Sequence, residues 1–103
     1  MRPLVIPPAA QRDETAVQML SGWIAENGLH CTMNVGFWRG HGRDEAHSWG
    51  IFLADVARHI GNAIQEQQGV SAEETVQAIS ASFTIEMDNP TSAAAGAFSP
   101  GHS

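Results

Sequence analysis

The chain has 103 residues, 43% of them apolar, with 11 acidic and 5 basic side chains and a net charge of −6. That is one domain with enough apolar content for a modest core, which excludes wholesale disorder. The five basic residues are all arginines, too few and too scattered for the basic patch that neutralises a nucleic-acid backbone or draws a protein to an anionic membrane.

The first twelve residues read as an extended arm or edge strand. Leu4, Val5 and Ile6 stand between prolines at 3, 7 and 8, which rule out a helix and an interior strand. The same prolines break any signal-peptide core, and no apolar run approaches the roughly 20 residues that span a bilayer. The single cysteine, Cys31, has no partner for an internal disulfide, which points to a reducing compartment and a cytoplasmic protein.

Residues 13–27 predict a first helix. Asp13 is placed to cap it, Ala16, Val17, Leu20, Trp23 and Ile24 share a face at helical spacing, and Asn27-Gly28 is a stop signal. The period then changes. Leu29, Cys31, Met33, Val35 and Phe37 alternate with His30, Thr32, Asn34, Gly36 and Trp38, the pattern of a half-buried strand over 29–38.

Residues 39–44 predict a flexible loop, after which Asp44 caps a second helix ending at Gly69. Trp49, Phe52, Leu53, Val56, Ile60 and Ile64 form its apolar sector. Gly50, Ala54, Ala57 and Gly61 form an adjacent stripe of small residues that admits a second backbone. Ser71 and Glu74 make a capping box for a third helix, with Ala72, Val76, Ile79, Phe83 and Met87 on one stripe. Alternation over 82–87 also fits a strand, but one helical stripe explains more positions from a strong cap. Residues 91–103, small and polar, predict a disordered tail behind a 13–90 domain.

This plan is α+β: three helices packed on a short antiparallel sheet. It contains one clear strand, whose backbone groups need a mate. The mate is the arm, residues 82–87 as a strand, or the same strand in a second copy across a two-fold axis. The last also uses the small stripe and enlarges the core, so the expected assembly is a homodimer through strand 29–38 and helix 45–68.

Five histidines are many for so short a chain. Those at 41 and 47, with Asp44 and Glu45, match no zinc spacing and read as a solvated loop with a capping aspartate. His30, Asn34 and Trp38 line one strand face and its end, a platform for a ligand or peptide; the alternative is a solvated sheet face. Asp55, Arg58 and His59 lie one turn apart, where an aspartate could orient an imidazole for proton transfer. The plainer reading is a pair of surface i,i+3 and i,i+4 contacts. Cys31 alternates with the core set and reads as a small buried hydrophobe. No phosphate loop, nucleophile elbow or Ser-His-Asp signature is present, so no catalytic residue, metal or cofactor is expected.

Four stretches carry a resemblance: Leu4-Val-Ile-Pro-Pro-Ala-Ala10, Trp23-Ile-Ala-Glu-Asn-Gly-Leu-His30, Trp49-Gly-Ile-Phe-Leu-Ala-Asp-Val-Ala-Arg-His59 and Asp88-Asn-Pro-Thr91. The chain resembles a family of short bacterial proteins classed as a domain of unknown function. The resemblance implies a small cytoplasmic bacterial protein and carries over no catalytic residue. The reading that results is a small homodimeric interaction or binding protein without catalysis. The alternative is a small-ligand binder or enzyme using the His/Asp/Arg cluster.

Overall fold

The computed structural model describes residues 1–91 and the backbone of 94–100. Its elements are α1 (Pro8–Arg12), β1 (Leu20–Ala25), β2 (Gly28–Val35), α2 (Phe37–Gly40), α3 (Glu45–Gln68), α4 (Ala72–Asp88) and β3 (Ala94–Pro100), an α+β fold.

The expected first helix is replaced by half of a hairpin. β1 pairs antiparallel with β2 from Leu20 opposite Met33 to Ala25 opposite Gly28. The two residues between them, Glu26 (φ 50°) and Asn27 (φ 64°), both take left-handed backbone. Two consecutive positive φ angles define the tight type I′ loop, whose twist matches that of the strands it joins. The Asn-Gly pair that reads as a helix stop is equally a hairpin signal, and Gly22 already weakens a helix here. Asp13 ends α1, its backbone N–H donating to the Ala9 carbonyl, rather than starting a helix. Its Oδ1 accepts from the backbone N–H and the hydroxyl of Thr15, at 2.9 and 2.7 Å. These bonds to the ionised form, the hydroxyl first, hold the Asp13 carboxyl below its ordinary range.

β2 stops at Val35, three residues before the expected end. Gly36 turns the chain with φ 96°, and Trp38 belongs to the short α2 rather than to a strand. β2 has β1 on one side and β3, parallel, on the other. Its mates are therefore residues 20–25 and 94–100, none of the three expected, and β2 is paired on both sides within one chain. Part of the expected tail is thus strand; residues 92, 93 and 101–103 of it lie outside the described residues.

The helical half follows the sequence closely. Asp44 caps α3 by accepting from the His47 N–H at 2.7 Å, and Gly69 ends it at φ 75°. Ser71 Oγ accepts from the Glu74 N–H at 3.3 Å, and α4 runs through 82–87 as a helix. The two helices meet where the small stripe predicts close approach. A Cβ built on Gly61 would lie 2.9 Å from Val76 Cγ2 and 3.0 Å from the Ala72 carbonyl oxygen.

Among the described residues no apolar side chain is buried, and Gly61 alone is enclosed. α3 packs on α4 and on α2, but the sheet makes no substantial contact with α3 or α4. The radius of gyration is 15.3 Å, against about 12.8 Å for a compact domain of this length.

Candidate functional site

Three regions hold the residues singled out above. The first is the polar face of β2. His30 stands opposite Trp23 in the register, Thr32 opposite Ser21, and Trp23 Nε1 donates to Ser21 Oγ at 3.0 Å. His30 and Asn34 are half-buried. Asn34 anchors the end of the hairpin by donating its backbone N–H to the Met19 carbonyl at 3.0 Å. Its side-chain Oδ1 is shielded from solvent with no hydrogen-bond partner among the described residues.

The second is an aromatic corner where α2 meets the start of α3. Trp38 packs edge-on against Trp49 (ring centroids 5.1 Å apart) and Phe52 (6.0 Å), and Trp49 against Phe52 (5.3 Å). Such edge-to-face pairs add a specific geometry to apolar contact. Phe37 extends the cluster to His41, whose Nδ1 lies 2.8 Å from the Phe37 carbonyl oxygen. Glu45 organises this corner. Its carboxylate accepts from the Gly36 N–H (2.9 Å), the Arg39 N–H (2.9 Å) and Trp49 Nε1 (2.8 Å). Desolvation pushes the Glu45 carboxyl upward, but the donors from Arg39, Gly36, Trp49 and Trp38 outweigh it and hold the group below its ordinary value. In the sequence Glu45 enters only as a member of the His41–His47 loop cluster, not as the group that organises this corner. The available signal is its i,i+4 spacing to Trp49, together with the glycine that turns the chain nine residues earlier.

The third region is the outer side of α3. Asp55 pairs with Arg58, and both side chains are more than 60% exposed. Among the described residues Asp55 bonds Arg58 and not His59, so the aspartate does not orient the imidazole. Asp55 and His59 instead flank a shallow apolar groove of about 420 Å³ floored by Phe52, Val56, Ile60 and Ala63. A larger open groove of about 650 Å³ runs along α4. Val70, Ile79 and Phe83 form its floor, and Glu74 and Glu86 its acidic rim. Glu86 also accepts from the Thr91 hydroxyl (2.6 Å) and the Thr91 N–H (2.9 Å), which together keep its carboxyl below the ordinary range.

The six expected site residues therefore do not converge. His30 and Asn34 belong to the sheet, Trp38 to the aromatic corner, and Asp55, Arg58 and His59 to an exposed helix face. Among the described residues no group of three or more His, Cys, Asp and Glu side chains is gathered as metal ligands would be. No helix among them is long and apolar enough to cross a membrane. What the structure assembles is apolar surface: two grooves, an aromatic corner and an arm.

Comparison with known proteins gives this fold a family. DUF5076, a domain of unknown function, matches residues 3–91, and the chain belongs to that family. No curated protein matches. A solved structure provisionally named a pyruvate dehydrogenase, from the photosynthetic bacterium Rhodopseudomonas palustrus CGA009, is similar over 90% of both chains. Its identity is 22% and its TM-score 0.65, which shows a shared fold and nothing of the chemistry.

Proposed function

We propose that this chain acts as a homodimeric interaction or binding protein with no catalysis of its own. The observation that supports this is that no apolar side chain is buried among the described residues. The chain exposes 8507 Å², whereas a compact monomer of 11.0 kDa exposes about 5,600 Å². The difference, about 2,900 Å² per chain, exceeds the roughly 1,000–2,500 Å² that each partner hides in an obligate interface, so a second copy could cover most of it. The exposed apolar side chains include Leu4 and Val5 of the arm and Ile24 of the hairpin, and on the helices Ile51, Leu53, Val56 and Ile60 of α3 and Phe83, Ile85 and Met87 of α4. Apolar surface of this kind on paired helices marks a face that meets another protein. β2 has a neighbour on each side, so the helix faces, and not that strand, argue for a second copy.

A ligand site built from His30 with Asp55, Arg58 and His59 has less support, because these groups sit on elements that do not pack together. Sedimentation equilibrium at on the order of 10 μM tests the proposal. A species of twice 11.0 kDa is expected. A single 11.0 kDa species throughout that range overturns it.

A further inference from the structure

We propose that the arm of one copy, residues 2–7, lies in the α4 groove of a second copy. This deepens the homodimer reading and rests on it. The arm is the most exposed apolar segment of the molecule: Leu4 is 95% exposed, Val5 90% and Ile6 63%. Three adjacent aliphatic side chains in water have no stabilising role in the free chain, and burying them is strongly favourable. Prolines at 3, 7 and 8 hold the backbone extended, so little conformational freedom remains to be lost on docking. The far end is also fixed, because Gln11 Nε2 donates to the Ile6 carbonyl at 2.8 Å.

The groove matches the arm in chemistry and length. Its floor is Val70, Ile79 and Phe83, and its rim carries Glu74 and Glu86. The docked segment, residues 2–7, carries one arginine, Arg2, and no acidic residue. A cationic, aliphatic segment thus faces an acidic-rimmed apolar trough in a protein that is acidic elsewhere, and complementary charge of this kind selects the partner and its register. Glu74 and Glu86 are 12 residues apart on the helix, about 18 Å. Arg2 to Pro7, extended at about 3.3 Å per residue, spans about 17 Å. An extended peptide docked by its side chains in an apolar groove is an established mode of recognition.

The test uses the full chain with Cys31→Ser as background. Chains bearing Val5→Cys are mixed with chains bearing Ser82→Cys and oxidised with glutathione disulfide. A mixed disulfide of twice the chain mass is expected on a non-reducing gel. In the Val5→Cys/Ser82→Cys double variant, a closed disulfide within one chain, at monomer mass, shows that the groove holds its own arm and overturns the proposal. Separately, Val5→Asp is expected to raise the dimer dissociation constant by on the order of a hundredfold with the circular dichroism spectrum unchanged. If wild type is a dimer but Val5→Asp leaves it intact and no mixed disulfide forms, arm exchange is refuted while the homodimer stands. If wild type is a monomer, both fall.

Discussion

Replacing Gly61 and Gly50 by alanine separates helix propensity from packing. Both glycines lie inside α3, and alanine is favoured over glycine in a helix interior by roughly 1 kcal/mol. At Gly50 a Cβ meets nothing within 4 Å. Gly50→Ala should therefore stabilise by up to about 1 kcal/mol. At Gly61 the new methyl would sit 2.9 Å from the branched Val76 side chain and 3.0 Å from the Ala72 backbone oxygen. Neither atom can yield without moving α4, and overpacking of this kind costs about 1–3 kcal/mol. The propensity gain is common to both substitutions, so the difference between the two variants isolates the packing term at about 1–3 kcal/mol. Urea unfolding followed by far-ultraviolet dichroism measures it, at one fixed protein concentration because association contributes to apparent stability. In thermal melts the same difference corresponds to about 4–8 °C for each kcal/mol. If the two variants differ by less than about 0.5 kcal/mol, α4 does not cross α3 at Gly61 and the account of the small stripe is wrong.

Three further predictions concern local devices. Asp44→Ala should cost about 1 kcal/mol, and Ser71→Ala less, because their capping bonds are 2.7 and 3.3 Å long; equal losses in urea unfolding would argue against ranking caps by geometry. Glu45 has a folded pKa below its unfolded one, so its contribution to stability is complete above the ordinary carboxylate value and is lost as pH falls through the lower folded value. Glu45→Gln should accordingly lower the urea midpoint at pH 7, with the deficit shrinking as pH falls below the ordinary carboxylate range; a deficit independent of pH, read from tryptophan fluorescence, would show that the charge does not matter. Arg58→Ala should change stability by less than about 0.5 kcal/mol, since both members of the Asp55–Arg58 pair are well exposed. A larger loss in the same unfolding assay would mean that the pair is covered in the assembled protein.

The helical half was legible because its signals agree. Asp44, the Ser71–Glu74 box and Gly69 each name a helix end, and the apolar stripes between them have one period. The same agreement decided residues 82–87, where alternation alone favoured a strand. Residues 13–27 failed because two signals conflicted and the wrong one was weighted. Five apolar residues at helical spacing outvoted an Asn-Gly turn, yet short windows of Leu, Trp and Ile fit either period, and the turn carries the left-handed backbone that a hairpin demands. β3 was not legible at all. Its sequence, Ala-Ala-Gly-Ala-Phe-Ser-Pro, is mostly alanine and glycine, residues that are depleted in strands. The sequence offered two candidate groups, one on the strand and one on α3, and only as an alternative were they expected to converge. Sequence spacing on α3 does place Asp55, Arg58 and His59 together, but nothing in it joins that helix face to His30 on the sheet.

The sequence argues for a dimer from a strand without a mate, whereas the proposed dimer is argued from the helix faces, and the difference matters. A strand without a mate asks for edge-to-edge pairing, whose hydrogen bonds are indifferent to side chains and give little selectivity. The structure supplies both neighbours of β2 from one chain and leaves instead an open helical hairpin with apolar grooves on both helices. Association through such faces depends on side-chain fit and rim charge, so it specifies a partner. It also changes where a ligand site should be sought. Asp55 and His59 border a groove that, in a monomer, is a shallow surface with nothing opposite it. If a second copy closes over that groove, the same two side chains become partly desolvated and face groups from another chain. NMR of the His59 imidazole at concentrations above and below dimer dissociation would show this directly: its chemical shifts should change with association, and identical spectra in both states would leave α3 outside the interface.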